Sequence, residues 1–464
     1  MSGDWVPDWA RRAVLYHIYP LGFLDAPLEN DQSSPPTQRL ADLRRWYEHI
    51  LNLGVRAIYF GPVFESHTHG YDTIDYFRID RRLGDEGLFR EILAELHELN
   101  IRVILDGVFN HTGRDFFAFR DLREKGRDSA YIDWYTVNWA DDSPYHDGFD
   151  YYCWHGVHSL PALNLENPDT RNYIFEVARM WLGDIGVDGW RLDVAGEIDP
   201  SFWWEFRRVC KRANPDSFLL GEMWGGDYRT WVAHDLLDSG TNYQLYQVLD
   251  KAFNEANLWT LKSALDRAYD PELGVYRDLK LNNFTSNHDV TRIRDLLHDP
   301  RHVFAAMILL LTIPGIPSLY YGEEIGMRGR KEDGDEALRQ PMLAPDGEWP
   351  EYGEDLYREI QRLVKTRLSY PALVDGDYLP LQTGYTFFSF LRSLGDQQVI
   401  VAFSIDDKAM SATIPVQRVG IPDGTRFRDV LDRRLPTYTV EEGRLEIERL
   451  YPGWGRILVN SQPS

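Results

Sequence analysis

The sequence has few cysteines, no long uninterrupted apolar segment and no excess of positive charge. Two cysteines among 464 residues, Cys153 and Cys210, exclude a disulfide framework, and no CxxC pair is present to form a metal knuckle. The longest apolar run, 303–321, contains two prolines and a glycine, so it predicts a buried helix followed by a strand rather than a membrane span. The net charge of −23 disfavours nucleic acid and anionic membranes as partners.

Targeting and nucleotide-binding signals are also missing. The first residues, MSGDWVPDWARRAV, contain no apolar segment of the signal-peptide type, so we expect a cytoplasmic protein. No GxGxxG or Walker loop follows a predicted strand, which leaves a nucleotide site without support. Aromatic residues are abundant at 14%. They suit a core, an interface or a sugar-binding surface, and composition does not choose among these.

Short β-rich segments alternate with amphipathic helical ones along most of the chain. The predicted strands span 14–20, 55–62, 101–109, 186–195, 217–224, 279–289 and 316–324, and helices are predicted at 39–54, 87–100 and 169–186. This alternation indicates a parallel sheet. Acidic and polar residues gather where the strands end, which is typical of an α/β protein with a (β/α)₈ TIM barrel and its active site on that face. A doubly wound sheet is the structural alternative.

Two regions depart from this rhythm. Residues 112–159 show no clear strand or helix period and predict an insertion after the third strand. After about residue 370 the apolar pattern changes to period two, which predicts an antiparallel β domain. The predicted domains are therefore the barrel (1–111 and 160–370), the inserted domain (112–159) and the C-terminal domain (371–464).

Three carboxylates at predicted strand ends form a chemically coherent set. Asp193 lies in GWRLDVA, where a strand would place Arg191 on the same side, Glu222 lies in GEMW, and Asp289 follows His288 in FTSNHD. Glycoside hydrolysis needs one ionised and one protonated carboxyl group. We expect Arg191 to keep Asp193 ionised, and burial against the neighbouring tryptophan to raise the pKa of Glu222. A structural ion pair inside the barrel is the alternative for Arg191 and Asp193.

The chain resembles the α-amylase family of glycoside hydrolases over nearly its whole length. The motifs stand in the family's order: PVFES with HGYDTIDY, DGVFNH, LPALN, GWRLDVA, GEMW, FTSNHD and GIPSLYYGEE. The resemblance implies a TIM barrel with an inserted B domain after strand 3, a C-terminal antiparallel β-sandwich and a retaining mechanism. It makes Asp193 the nucleophile, Glu222 the general acid/base and Asp289 the transition-state stabiliser.

Further residues are implied as substrate contacts by the same resemblance. Tyr71 would stack beneath the sugar at the cleavage site, and Asp106 would support that site. The complete set of implied contacts is Tyr71, Asp106, His111, Arg191, His288, Asp335 and Arg339. For DGVFNH alone, which holds Asp106 and His111, a helix cap is an equal explanation, and for Asp335 with Arg339 the alternative is an i,i+4 surface pair.

No metal or other cofactor is predicted. His67 and His69 belong to the loop around Tyr71, which matches a structural loop of the family. Asn110 matches a calcium ligand of many family members, but the acidic loop that follows the first strand in some relatives is missing here, so calcium is not predicted. The aromatic and polar stretch 148–170 contains LPALN and is expected to lie beside the substrate cleft.

LPALN is most similar to the MPKLN motif of neopullulanases, cyclomaltodextrinases and maltogenic amylases, and Val194 is similar to oligosaccharidases that cleave α-1,6 bonds. That group usually carries an N-terminal domain that builds a dimer, whereas the barrel pattern begins almost at once here, so a homodimer would need another interface. The first hypothesis is a hydrolase of small or cyclic α-glucans with α-1,4 and α-1,6 links. A transglycosylase on the same substrates is the second, and a non-catalytic sugar-binding subunit is the third.

Overall fold

Eight parallel strands form a closed barrel in the computed structural model, which describes residues 5–460. The strands are β1 (Leu15–Ile18), β2 (Ala57–Phe60), β3 (Arg102–Gly107), β4 (Gly189–Leu192), β5 (Phe218–Gly221), β6 (Ser239–Gly240), β7 (Asn282–Phe284) and β8 (Ile316–Tyr320). They pair in the order β6-β5-β4-β3-β2-β1-β8-β7. A parallel bridge between Thr241 and Asn282 closes the ring. The predicted (β/α)₈ TIM barrel is therefore confirmed.

Helices surround the barrel and connect its strands. Their bounds are α1 (Asp8–Arg12), α2 (Pro20–Phe23), α3 (Tyr47–Leu53), α4 (Glu86–Glu98), α5 (Phe117–Lys125), α6 (Pro168–Arg179), α7 (Pro200–Ala213), α8 (Tyr243–Asn254), α9 (Leu258–Tyr269), α10 (Ile293–Leu296), α11 (His302–Thr312), α12 (Asp335–Leu338), α13 (Gly353–Ser369) and α14 (Pro371–Asp375). The apolar run 303–321 forms most of the buried helix α11 and then β8, as predicted. Among residues 5–460, no helix is both long and apolar enough to cross a bilayer.

The sequence predicted seven of the eight barrel strands, and β6 was missed. β6 contains only Ser239 and Gly240, so it carries no apolar pattern. Side chains fix its place, because Leu219 donates its backbone N–H to Asp238 at 2.9 Å and the Ser239 hydroxyl donates to the Lys280 carbonyl at 2.6 Å. β6 follows the strand that precedes Glu222, so the three catalytic candidates follow strands four, five and seven.

The segment 112–159 leaves the barrel after β3 and contains more regular structure than its sequence indicated. It holds α5 and a two-stranded antiparallel sheet of Val137–Asn138 with Asp150–Tyr151. Helix α5 buries Ala118, Phe119 and Leu122, which have the i, i+1, i+4 spacing of one helix face. The prediction that this segment lacks a helical period was therefore wrong.

The C-terminal part of the chain is antiparallel, as predicted, and forms a β-sandwich. Its strands are β9 (Asp377–Thr383), β10 (Phe387–Leu394), β11 (Gln397–Ser404), β12 (Met410–Pro415), β13 (Arg426–Asp429), β14 (Thr437–Thr439), β15 (Arg444–Leu450) and β16 (Gly455–Asn460). A six-stranded sheet, β9-β10-β11-β16-β13-β14, and a two-stranded sheet, β12-β15, share an apolar core of their own. The first four residues of the predicted barrel segment and the last four of the predicted C-terminal domain lie outside the described residues.

Candidate active site

Four carboxylates gather at the carboxyl-terminal mouth of the barrel. Asp106 lies near the end of β3, Asp193 follows β4, Glu222 follows β5, and Asp289 lies beyond β7. Asp106, Asp193 and Glu222 are at most 6% exposed. These residues lie at one mouth because the parallel strands of a barrel end on the same face. The three predicted catalytic carboxylates are thus brought together, with Asp106 beneath them.

One guanidinium group, that of Arg191, joins three of these carboxylates. Its Nη1 lies 2.7 Å from Asp193 and 3.0 Å from each Asp106 oxygen, and its Nη2 lies 2.5 Å from Glu222. The parallel register sets Arg191 opposite Asp106, its partner on β3. Arg191 is 2% exposed and its terminal nitrogens are occupied by carboxylates. It is therefore placed to position the acids, and its predicted contact with the sugar stays a prediction.

Burial dominates the protonation of this group. It raises the pKa of Glu222 to about 8, of Asp193 to about 7 and of Asp106 to about 6, in each case against the opposing charge of Arg191. The sequence led us to expect Arg191 to keep the pKa of Asp193 low. The structure differs because burial and the neighbouring Asp106 outweigh the attraction of a guanidinium that Asp193 shares with two other acids. Glu222 retains its proton most strongly.

Asp289 has the opposite electrostatic setting. Burial acts to raise its pKa, but contacts with His288 and Arg339 prevail and hold that pKa well below the usual range. His288 Nε2 lies 2.9 Å from one Asp289 oxygen, and Arg339 Nη2 lies 2.8 Å from the other. Burial lowers the pKa of His288, so the imidazole is neutral at pH 7 and Arg339 supplies the positive charge. Asp289 is consequently an ionised carboxylate.

Glu222 is held on its second oxygen by the backbone of Val194. The Val194 N–H donates to Glu222 Oε2 at 2.9 Å, and Val194 adopts φ 41° and ψ 35°. A left-handed backbone is rare for a β-branched residue and costs about 1–3 kcal/mol. The loop therefore accepts strain at the residue that follows the predicted nucleophile, and this conformation aims an N–H at the predicted acid.

The ring beside Glu222 is a tyrosine rather than the expected tryptophan. The Tyr243 hydroxyl lies 3.4 Å from Glu222 Oε1 and accepts a hydrogen bond from Asn287 at 2.9 Å. Trp224 is 50% exposed and stacks on the outer face of Tyr243 at 4.2 Å. Tyr243 is therefore the wall that buries the acid, and Trp224 extends an aromatic surface outward from it.

Aromatic and imidazole groups form the other side of the space. Tyr71 stacks on His288 with ring centres 5.4 Å apart, and its hydroxyl donates to Asp106 at 3.2 Å. His111 is 2% exposed, and its Nε2 is buried without a hydrogen-bond partner. Burial lowers the pKa of His111 to about 3. A neutral imidazole with an unpaired buried nitrogen suits a sugar hydroxyl, since an unmet hydrogen bond costs about 1–3 kcal/mol.

Asp335 and Arg339 form the predicted pair, at 3.0 Å, but differ in burial. Asp335 is 46% exposed and Arg339 10% exposed. Arg339 reaches inward to Asp289 and lies over the Tyr19 ring at 5.0 Å. The pair thus joins the rim of the cleft to the stabilising carboxylate, which goes beyond a surface i,i+4 contact.

Several residues of the site were not found from the sequence. His17 at the end of β1 stacks on Tyr59 of β2 at 4.0 Å and meets His288 edge-on at 5.1 Å. Tyr59 donates to Asp106 at 3.4 Å. A usable signal existed for both, because each lies in a predicted strand facing the barrel interior. Tyr243 carried no such signal, since it opens α8 after the short strand that was missed.

The residues considered as metal ligands, His67 and Asn110, contact neighbouring side chains. His67 lies 3.5 Å from Asp115, and the Asn110 amide contacts the ring of the adjacent His111 at 3.3 Å. No group of three or more His, Cys, Asp or Glu side chains suited to a metal occurs in the part of the chain that is described. In the stretch 148–170, the Trp154 ring lies 5.7 Å from His111, so this stretch does border the cleft.

Comparison with known proteins identifies the family. The alpha-amylase catalytic domain model matches residues 18–365. Neopullulanase 2 of Thermoactinomyces vulgaris is 33% identical, with 98% of this chain and 79% of that protein covered, and a cyclomaltodextrinase of Bacillus sp is 33% identical over 87% and 74%. The cyclic alpha-maltosyl-(1→6)-maltose hydrolase of Arthrobacter globiformis superposes with a TM-score of 0.81 at 27% identity, covering 98% of this chain and 99% of that one. The chain belongs to the alpha-amylase family of glycoside hydrolases.

Proposed function

We propose that this protein is a retaining glycoside hydrolase that cleaves α-1,4 and α-1,6 glucosidic bonds in small or cyclic maltosaccharides. The observation that carries the proposal is the single guanidinium of Arg191, which contacts both Asp193 and Glu222. A guanidinium that both acids contact brings the two carboxyl groups together, and retaining enzymes need a separation of about 5–5.5 Å.

In the first step, a carboxylate oxygen of Asp193 attacks C1 of the sugar while Glu222 donates its proton to the departing glycosidic oxygen. The C1–O bond to the leaving sugar breaks and an ester between C1 and Asp193 forms. Glu222 suits the acid role because its pKa is the highest of the group, at about 8. The ionised Asp289 lies ready to offset positive charge on the ring.

In the second step, Glu222, now a carboxylate, removes a proton from water. The water oxygen attacks C1, the ester bond breaks, and Asp193 leaves as a carboxylate. Two inversions at C1 retain the α configuration. No oxidant, reductant or metal is needed to balance either step.

The proposed substrate contacts follow from the positions of the remaining residues. Tyr71 provides a ring face, and the unpaired nitrogens His111 Nε2 and His288 Nδ1 are available to sugar hydroxyls. Arg339 and Asp335 occupy the rim, where a neighbouring sugar unit would lie. Asp106 and Arg191 act from below by holding the reacting carboxylates.

Small or cyclic maltosaccharides are proposed as substrates because the comparison proteins carry the names neopullulanase, cyclomaltodextrinase and cyclic maltosyl-maltose hydrolase. The test incubates the enzyme with maltotriose, pullulan, cyclomaltodextrins and panose and resolves the products by size. Release of smaller sugars by wild type and none by D193N supports hydrolysis. Equal product from both variants would refute the assignment, and longer products at high acceptor concentration would favour the transglycosylase.

We further propose that the protein is cytoplasmic. Its two cysteines, Cys153 and Cys210, support this location because both are buried and unbridged, as expected in a reducing compartment. A homodimer is the proposed alternative to a monomer, and sedimentation of the purified chain decides between them. Either state leaves the chemistry above within one chain, because every group it uses comes from this barrel.

A further inference from the structure

A basic pocket lies at the end of the barrel opposite the catalytic carboxylates. It has a volume of about 560 Å³ and is bounded by α1, the segments that lead into β1, β2 and β3, and α13. Its lining includes Trp9, Arg12, Arg56, His97, Arg102 and Leu368. Because the pocket lies where β1, β2 and β3 begin, a ligand here would not compete with a sugar at the carboxyl ends of the strands.

The charge of this pocket is opposite to that of the protein. Three arginines and a histidine line it and none of its lining residues is acidic, whereas the whole chain carries a net charge of −23. The buried Asp188 offsets part of this positive charge, because its carboxylate lies 2.6 Å from Arg102 and 2.7 Å from His97. A local concentration of guanidinium groups in an acidic protein attracts anions selectively to one place.

Arg56 is the group best placed to receive an anion. Within residues 5–460 its guanidinium donates one hydrogen bond, to the Val55 carbonyl at 2.7 Å, and pairs with no carboxylate. Arg12 is 60% exposed and contacts Asp8 through Nε at 3.1 Å, so this contact does not use its terminal nitrogens. Guanidinium groups with unused donors favour the geometry of phosphate oxygens.

The lining also contains an aromatic and an apolar side chain, Trp9 and Leu368. Trp9 is anchored by a hydrogen bond from Nε1 to the Asp216 carbonyl at 2.9 Å, and its ring meets Phe218 edge-on at 5.9 Å. The Arg102 guanidinium lies 5.8 Å from the centre of the same ring. Leu368, which is 44% exposed, completes this surface. A flat ring can therefore rest here while an attached anionic group reaches the arginines.

We propose that this pocket, formed by Trp9, Arg12, Arg56 and Arg102, binds a phosphate ester of a ring-bearing metabolite. The phosphate is held by Arg56 with Arg12, and the ring rests on Trp9. The site is separate from the glycosidase centre and does not depend on the function proposed above. A ligand that binds only the folded chain raises its thermal midpoint by mass action.

The test measures binding by calorimetry and by thermal unfolding of the full chain, with AMP, adenosine, glucose 6-phosphate, glucose and inorganic phosphate as probes. We expect saturable binding of a phosphate ester but not of its unphosphorylated parent, and weaker binding at high salt because the contact is electrostatic. AMP and glucose 6-phosphate distinguish a nucleotide from a sugar phosphate. Binding of inorganic phosphate as tight as that of both esters would overturn the role given to the ring.

The variants separate this pocket from other sites. R56Q should weaken binding of the ester at least tenfold and leave hydrolysis of maltosaccharides unchanged, since Arg56 lies at the far end of the barrel. R358Q changes an arginine on α13 that is 53% exposed and outside the pocket, and should bind as wild type does. No saturable binding of any phosphate ester at millimolar concentration, or equal affinity in R56Q and wild type, would refute the proposal.

Discussion

Replacing Glu222 with alanine should slow the reaction strongly only for substrates whose leaving group needs a proton. With a pKa of about 8, Glu222 is mostly protonated at pH 7 and can deliver a proton to a departing sugar. General acids typically contribute 10²–10⁴-fold to the rate, which corresponds to about 3–5.5 kcal/mol. We therefore expect kcat/KM for maltotriose to fall by about 10²–10⁴-fold in E222A.

The same variant should still react with α-maltosyl fluoride, because fluoride leaves without a proton. Asp193 keeps its contact with Arg191 at 2.7 Å, so the rate of glycosyl ester formation should remain within about tenfold of the wild-type rate. This loss is much smaller than the loss expected when a needed acid is missing. Rapid-quench measurement of fluoride release tests this. The matched control is D193A, which lacks the attacking oxygen and should be inactive on both substrates.

Azide provides a second readout in E222A. Removal of the side chain opens a space beside Val194 and Tyr243, which contact it at 2.9 and 3.4 Å. Azide entering there attacks the ester from the side of the lost acid, and the product should be the α-glycosyl azide. Equal losses on maltotriose and on the fluoride, or a β-azide as the product, would refute the assignment of Glu222 as acid/base and Asp193 as nucleophile.

Three further predictions concern the electrostatics of the site. The pH profile of kcat/KM should be bell-shaped and centred near neutrality: activity falls below about pH 7 as Asp193 becomes protonated and above about pH 8 as Glu222 loses its proton, and a plateau extending to pH 5 would contradict this. R191K should lower kcat/KM by about 100-fold, since an ammonium group cannot replace hydrogen bonds to three carboxylates that are worth about 1.5–3 kcal/mol each. R358K serves as the control. Wild-type activity in R191K would contradict the positioning role. Dialysis against EDTA should leave the initial rate unchanged, because both chemical steps balance with carboxyl groups and water alone, and a loss restored by calcium would show the prediction to be wrong.

The sequence predicted the barrel and the convergence of its carboxylates because both depend on local patterns. Apolar segments, such as the one in β5, identify strands, and Asp193 and Glu222 follow directly after β4 and β5. The strand β6 could not be found in this way, because it has two residues and its position depends on side chains such as Asp238. Short strands fixed by tertiary contacts leave little trace in a single sequence.

Contacts between distant segments were predicted less well than contacts within one strand. Period two placed Arg191 beside Asp193, but a single sequence does not reveal that the register of β3 and β4 also sets Asp106 opposite Arg191. The neighbour Trp224 was taken as the wall behind Glu222, whereas that wall is Tyr243, carried to the site by the start of α8. Proximity in the sequence therefore did not predict which ring contacts Glu222, because the loop after β5 turns Trp224 outward.

The balance of charge at the mouth of the barrel explains why one carboxyl group remains protonated. Four acids, Asp106, Asp193, Glu222 and Asp289, face two guanidinium groups, those of Arg191 and Arg339, while burial keeps His288 neutral. In a buried site the excess of acids over cations favours uptake of a proton, and Glu222 is the acid that retains it most strongly. When that proton passes to the leaving sugar, positive charge develops on the ring at the same moment. The proton that Glu222 loses is therefore replaced by positive charge on the sugar ring beside Asp289, and the surrounding groups need little rearrangement.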